Sequence, residues 1–440
     1  MNSGLTAADL AIIAAALLAV AAVSRRLSGT SVTPAMAFVA IGLLVGPLVA
    51  DEVDVAPSGA AVRILAEATL TVVLFSDASR IRLRALRHEF TVPVRLLAIG
   101  LPLTIVLGTL AGASVFNGLS AAEAAVLAIA LAPTDAALGQ AVVTEPRLPS
   151  RIRQGLNVES GLNDGICVPL LLLALAVADV DAQTVTAHHA ISIVSEEIGY
   201  GVAGGVAAGL AASAVLVVSR RHELISEPWV QVVPVAGAAL AYGVAVALGG
   251  SGFIAAFVSG GLFGWLAGAE VDQSTRLSEE LGDLLGGVTL LMFGAVLLGP
   301  ALEHLTWRVG LYSVLSLTVL RMLPVAIAMI GSGARVPTLA FLGWFGPRGL
   351  ASIVFAVIVV EEANLPGTGS ILATIYATVG LSVLAHGVSA APLARRYAAW
   401  YESHARETRT LMEGVSAAAH RVRGAATHAA APPGVGSRRS

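Results

Sequence analysis

Long apolar runs and short polar interruptions alternate along most of the 440 residues. Runs of roughly 17 or more apolar residues are long enough to cross a bilayer as helices, and lipid offers no partner to an open strand edge. The pattern predicts about thirteen spans, near residues 8–23, 33–50, 60–77, 92–115, 121–143, 151–178, 190–218, 229–248, 252–268, 283–302, 307–331, 338–360 and 368–393. An all-α polytopic membrane protein is expected, with residues 1–400 as its membrane domain. From about Glu402 the chain turns to Ala, Gly, Pro, His and Arg, with Pro432-Pro433-Gly434 near its end. Residues 401–440 therefore read as a tail, disordered beyond a first helical stretch.

The polar interruptions supply orientation, because basic residues prefer cytoplasmic loops. With the N-terminus outside, one set of gaps falls inside and holds Arg25 and Arg26; Arg80, Arg82, Arg84 and Arg87; Arg147, Arg151 and Arg153; Arg220 and Arg221. The other set falls outside and holds Asp51, Glu52 and Asp54; Asn117 and Glu123; Asp179 and Asp181; Glu361 and Glu362. The tail is then cytoplasmic. One inner gap disagrees, carrying Glu270, Asp272, Glu279, Glu280 and Asp283 against Arg276. Acidic residues contribute little to this rule, so the topology stands. The first span lacks a basic leading region and is followed by its two Arg residues, which reads as a retained helix rather than a signal peptide.

Composition removes the main competitor. Hydrophobic residues make up 56% of the chain and charged ones 12%, against about 25% charged in soluble domains. An ordinary soluble enzyme is excluded. All 26 cationic side chains are Arg, and no Lys occurs, so no mechanism here uses a titratable amine at depth. The single Cys167 lies in an apolar run and reads as a small buried hydrophobe. A net charge of −3 points to no nucleic acid, and nothing implies a cofactor.

Ionisable groups within the spans are the functional suspects, since each costs about 2.5–3.5 kcal/mol at a helix centre. Five stand out: Asp135, Glu159, Asp164, Arg321 and Arg348. Glu67 and Asp77 in the third span lie nearer polar residues and read as weaker candidates. Neither Arg sheds its charge, so each needs a carboxylate or a set of carbonyls at depth. If both are neutralised inside the cluster, one of the three carboxylates has no permanent cationic partner. An acid so placed favours a bound proton or a small cation, and competition between the two is the chemical minimum for an exchanger. Glu159 and Asp164 stand about 140° apart on a helix and address different neighbours. Glu159 is the better partner for Arg321 or Arg348. Asp164 shares a face with Ser160, one turn earlier, and a carboxylate with a hydroxyl suits a hard cation such as Na⁺.

Backbone breaks point the same way. The fifth span reads Ala132-Pro133-Thr134-Asp135 and the twelfth Phe345-Gly346-Pro347-Arg348-Gly349. Taken as matching positions of two repeats around the seventh span, these interrupted helices mark a transporter's midplane site. Opened backbone frees carbonyls such as that of Thr134 for a cation, while Asp135 and Arg348 balance half-helix dipoles.

At these residues the chain resembles the CPA1-type monovalent cation:proton antiporters, the family of bacterial NhaP proteins and animal sodium/proton exchangers. The resemblance is carried by Ala132-Pro133-Thr134-Asp135, by Asn157-Val158-Glu159-Ser160-Gly161-Leu162-Asn163-Asp164-Gly165 and by the run Gly252 to Gly260. Gly346-Pro347-Arg348-Gly349 and His386-Gly387 with Pro392-Leu393 continue it in order. It implies an NhaA/NhaP-like fold of inverted repeats with two broken, crossing helices, and a homodimer in the cell (inner) membrane. It further implies that Asp164 carries the ion or proton, that Ser160, Glu159 and the Thr134 carbonyl help coordinate the cation, and that Asn163 hydrogen-bonds Asp135. Glu159 is held by Arg321 or Arg348. Related electrogenic antiporters carry two adjacent Asp residues and a membrane Lys; here Asn163 precedes Asp164 and Lys is absent. Electroneutral exchange of one Na⁺, K⁺ or Li⁺ per H⁺ is expected, a role in pH homeostasis. The third span, Phe75-Ser76-Asp77-Ala78-Ser79, departs from the family's wording. The competing readings are an intramembrane aspartyl protease using Asp135 and Asp164, and a passive cation channel.

Overall fold

The computed structural model describes residues 7–27, 30–49, 60–80, 91–135, 138–139, 142, 145–181, 187–303, 305–362 and 365–404. Asp51, Glu52, Asp54, Arg82, Arg84, Arg87 and nearly all of the expected tail lie outside the described residues. Among those described no strand forms, as expected where lipid forces each segment to satisfy its own backbone.

The helices are α1 (Ala7–Leu27), α2 (Pro34–Val49), α3 (Ala60–Ser79), α4 (Thr91–Val115), α5 (Ala121–Ala130), α6 (Ser150–Asp181) and α7 (Ala187–Arg221). They continue as α8 (Glu227–Ala247), α9 (Gly252–Ala267), α10 (Arg276–Glu303), α11 (Trp307–Ala328), α12 (Val336–Trp344), α13 (Leu350–Glu362) and α14 (Thr368–Ser403). Among the described residues, eight helices are long and apolar enough to cross a membrane; α2, α5, α9 and α13 hold shorter apolar stretches. The element order follows the predicted spans, with α12 and α13 sharing the twelfth. Two ends differ. α5 stops at Ala130 where its span was expected to reach 143, and α14 runs to Ser403, across the expected boundary at 400.

Two helices widen into π turns, Leu96–Gly100 in α4 and Phe293–Leu298 in α10. Each precedes a proline, Pro102 or Pro300, whose missing N–H and ring bulk disrupt the bond to the carbonyl four residues back. Packing then forms two groups. In one, α3, α7, α8 and α9 lie against one another and α2 against α10; in the other, α4, α5 and α6 join α11 to α14. α9 approaches α3 so closely that a Cβ at Gly260 or Gly264 would overlap the α3 backbone at Phe75 or Ser79, the small-residue contact that membrane helices favour.

The acidic segment that defied the charge pattern serves packing. Glu279 is buried and lies 3.2 Å from the buried Arg80 Nε of α3, Glu280 pairs with Arg276 at 2.8 Å, and Glu270 lies 3.3 Å from Arg220. Its acids neutralise neighbouring arginines. Glu123 is likewise committed: it forms a capping box with Ser120 at the start of α5 and accepts the Gly367 N–H at 2.7 Å.

Candidate functional site

α5 ends at Ala130, and Ala132 to Asp135 run on without helical structure. Pro133 disfavours helical backbone at the residue before it, and Pro347 does the same at Gly346, so α12 ends at Trp344 and α13 begins only at Leu350. The two breaks meet: the Asp135 N–H donates to the Pro347 carbonyl at 2.7 Å.

Each break then receives a charge from the other. Arg348, fully buried, donates through Nη1 to the Ala132 carbonyl and, at 3.0 Å, to the Pro133 carbonyl. A cation thus faces the carbonyl end of α5, where the helix dipole is negative. Asp135 Oδ2 accepts the Leu350 N–H at 3.1 Å, an anion at the amide end of α13. The glycines of this motif are steric requirements. A Cβ at Gly349 would overlap the Asp135 carboxylate, and one at Gly346 the Arg321 guanidinium.

α14 braces the second break from one face. Ser382 Oγ accepts the Arg348 N–H at 2.7 Å, and one turn on, His386 Nε2 lies 2.9 Å from the Trp344 carbonyl. An Nε2–H donates there to the end of α12, while Nδ1 lies 3.1 Å from the Ser382 carbonyl and 3.2 Å from its hydroxyl. The sequence offered His386 only as part of a resembling segment, without this role.

α6 passes beside the crossing with its acids. Glu159 and Arg321, 2% and 3% exposed, form a two-pronged pair with Nη1–Oε1 at 2.6 Å and Nη2–Oε2 at 2.8 Å. The choice left open between the two arginines falls to Arg321. Arg348 is not part of this ion pair; its guanidinium donates through Nη1 to two backbone carbonyls, which is the other way to hold a buried guanidinium. Ser160 Oγ donates to the Thr134 carbonyl at 2.6 Å, and Asn163 Nδ2 to Thr134 Oγ1 at 2.7 Å. The expected Asn163–Asp135 bond is replaced: the Asn163 amide reaches the residue before, while Asp135 turns to α13. Asp164, 7% exposed, stands one turn beyond Ser160.

A cavity of about 20 Å³ opens beside these groups, lined by Thr134, Asp135, Ser160, Leu156, Phe345 and Pro347 among others, room for about one water-sized species. Thr134, Asp135 and Ser160 thus meet at one small, mainly apolar space, which Asp164 does not line. Asp77, ranked low from the sequence, comes close as well: a Cβ at Gly161, the residue after Ser160, would lie 3.5 Å from the Asp77 Cβ. Its carboxylate is 3.4 Å from Arg80 Nη1. The available signal was a lone acid between the buried residues Phe75 and Ala78.

The family model described as sodium/hydrogen exchanger, transmembrane, matches residues 12–396, nearly the whole membrane region. The chain belongs to the sodium/hydrogen exchanger family. Among curated relatives, a K⁺/H⁺ antiporter NhaP of Alkalimonas amylolytica is 26% identical over 74% of this chain and 56% of its own length. A K⁺/H⁺ antiporter NhaP2 of Shewanella sp. strain ANA-3 is 24% identical over 88% of this chain and 66% of its own. The chain therefore spans somewhat less than two thirds of the length of these relatives. The fold of this exchanger-family chain is that of the sodium proton antiporter MjNhaP1 from Methanocaldococcus jannaschii, with a TM-score of 0.71 at 19% identity, covering 88% of this chain and 98% of the other.

Proposed function

We propose that the protein is a secondary antiporter of the cell (inner) membrane that exchanges a monovalent cation for H⁺, Na⁺ being the first choice and K⁺ or Li⁺ the alternatives. The observation carrying this reading is the crossing of two broken helices whose ends are neutralised by Arg348 and Asp135, beside a buried acid and a converged hydroxyl and carbonyl. Asp164 supplies the charge for which cation and proton compete. Ser160 Oγ and the Thr134 carbonyl supply neutral oxygens, suited to a hard cation. In the present geometry the Ser160 hydroxyl donates to that carbonyl; an arriving cation takes the lone pairs of both oxygens, and the hydroxyl hydrogen turns away. Glu159 serves as the partner of Arg321 and positions α6 against α11 rather than binding the ion. Asn163 orients Thr134.

With Asn163 rather than a second acid beside Asp164, and no lysine in the chain, one carboxylate carries the exchange, so one cation replaces one proton. Transport proceeds by movement of the α4–α6 and α11–α14 group against the remaining helices, in a homodimer with the N-terminus outside and the C-terminal tail in the cytoplasm. The relatives named as K⁺/H⁺ antiporters and the fold shared with a sodium proton antiporter support the reaction class and leave both ions as substrates. The protease reading draws no support from Asp135, whose carboxylate serves the α13 amide end.

The test is purified protein in liposomes under a pH gradient. Adding Na⁺, K⁺ or Li⁺ should dissipate the gradient in an order that ranks the ions, and Asp164→Asn should abolish the effect. Wild-type exchange by Asp164→Asn would sink the assignment; cation flux without proton movement would identify a channel.

A further inference from the structure

A larger cavity lies away from the site, between the end of α4, the π-helical part of α10 and the starts of α11 and α14. It measures about 670 Å³, within the roughly 300–1,000 Å³ of small-molecule sites. Its walls are mainly apolar: Phe116, Leu297, Pro300 and Tyr376 contribute, together with Trp307 and Arg308. Leu297 belongs to the widened turn ahead of Pro300, so the hollow and the irregular helix coincide. The mouth borders an exposed apolar rim, where Leu302, Leu305 and Trp307 are 47%, 51% and 69% exposed.

Arg308 gives this apolar space one charge. The guanidinium lies 5.6 Å from the Trp307 ring centroid, and among the described residues no carboxylate pairs with it. Glu303, the acid at the end of α10, is exposed and does not line the cavity. The ligand that satisfies both features has an apolar body and an anionic head. A soluble anion would leave the cavity walls bare, and a neutral lipid would leave the arginine without a counter-charge; guanidinium matches phosphate geometry in particular.

We propose that this cavity binds an anionic phospholipid, with an acyl chain between α4, α10 and α14 and the phosphate on Arg308. The lipid would be retained as a bound molecule and not merely as part of the surrounding bilayer. Trp307 is a built-in reporter. Full-length protein is reconstituted in phosphatidylcholine vesicles containing brominated phosphatidylglycerol or, at equal mole fraction, brominated phosphatidylcholine. The difference in fluorescence quenching between wild type and Trp307→Phe isolates that indole. Phosphatidylglycerol should quench it several-fold more strongly. Arg308→Gln should remove the preference and Arg308→Lys retain most of it. Ala373→Phe, which fills the cavity and leaves the cation in place, should also remove it. Equal quenching by the two lipids in the wild type, or a preference that survives Arg308→Gln, overturns the proposal. A preference that survives Ala373→Phe reduces it to surface attraction of headgroups and overturns the site.

Discussion

Glu159 and Arg321 illustrate how differently two ion pairs of this chain weigh on stability. Both are almost wholly buried, and two hydrogen bonds join them. Removing one partner leaves the other charged and uncompensated, which typically costs about 3–5 kcal/mol, whereas replacing both with apolar residues is often close to neutral. Glu159→Leu and Arg321→Leu should each lower the unfolding temperature in detergent sharply, and the double variant should recover most of the loss. Strictly additive losses would show that the pair is not coupled. Arg63, half exposed between Glu67 and Glu361, makes the opposite case, and Arg63→Gln should change stability by about 1 kcal/mol or less. Ser160 is different again, because its proposed part is in ligation. Ser160→Ala keeps the Thr134 carbonyl and should raise the KM for the cation several-fold, at a stability cost of about 1–3 kcal/mol for the lost buried hydrogen bond. An unaltered KM would remove Ser160 from the ligand set.

At the scale of elements, the crossing depends on exchange between two breaks more than 200 residues apart. Gly349 stands where a Cβ would strike the Asp135 carboxylate, so Gly349→Ala should push that carboxylate off the Leu350 N–H. Loss of such a cap costs about 0.5–2 kcal/mol, too little to unfold the protein. Exchange in liposomes should nevertheless fall at least as far as in Asp135→Asn, and normal exchange by Gly349→Ala would show that the cap is dispensable. Pro133 and Pro347 were legible in the sequence because a proline acts on its own backbone. The early end of α5 at Ala130 was not, since what satisfies the carbonyls beyond it is Arg348 on another helix. For the same reason the choice between Arg321 and Arg348 stayed open: spacing reports which side chains share a face and says nothing of which helices turn toward them. The closeness of Asp77 to α6 was not legible because the end of an apolar run reads as a membrane surface, whereas close packing at Gly161 brings that end to α6.

For the whole molecule, the sequence left one discord, the acids from Glu270 to Asp283, and three of the five, Glu279, Glu270 and Glu280, pair with Arg80, Arg220 and Arg276. Charge counting along the chain sees a loop; the fold sets Glu279 and Asp77 on Arg80, and Glu270 and Glu227 on Arg220. The same accounting governs energetics across the bilayer. Moving one elementary charge through 100 mV is worth about 2.3 kcal/mol, close to a 50-fold change in the ion gradient that exchange supports, at 1.36 kcal/mol per tenfold. A cycle in which one cation and one proton alternate on a single carboxylate moves no net charge, whatever path the helices take. The fixed charges of Glu159, Arg321, Arg348 and Asp135 cancel within the moving group, and no lysine is present to release a second proton. With the membrane potential clamped by a chloride gradient and a chloride-selective channel in K⁺-free proteoliposomes, the Na⁺ gradient that balances a given pH gradient should be the same at 0 and at about −100 mV. A shift toward 50-fold would mean that a second titrating group joins the cycle, and Asp77, beside Gly161 and paired with Arg80, would be the group to replace by Asn first.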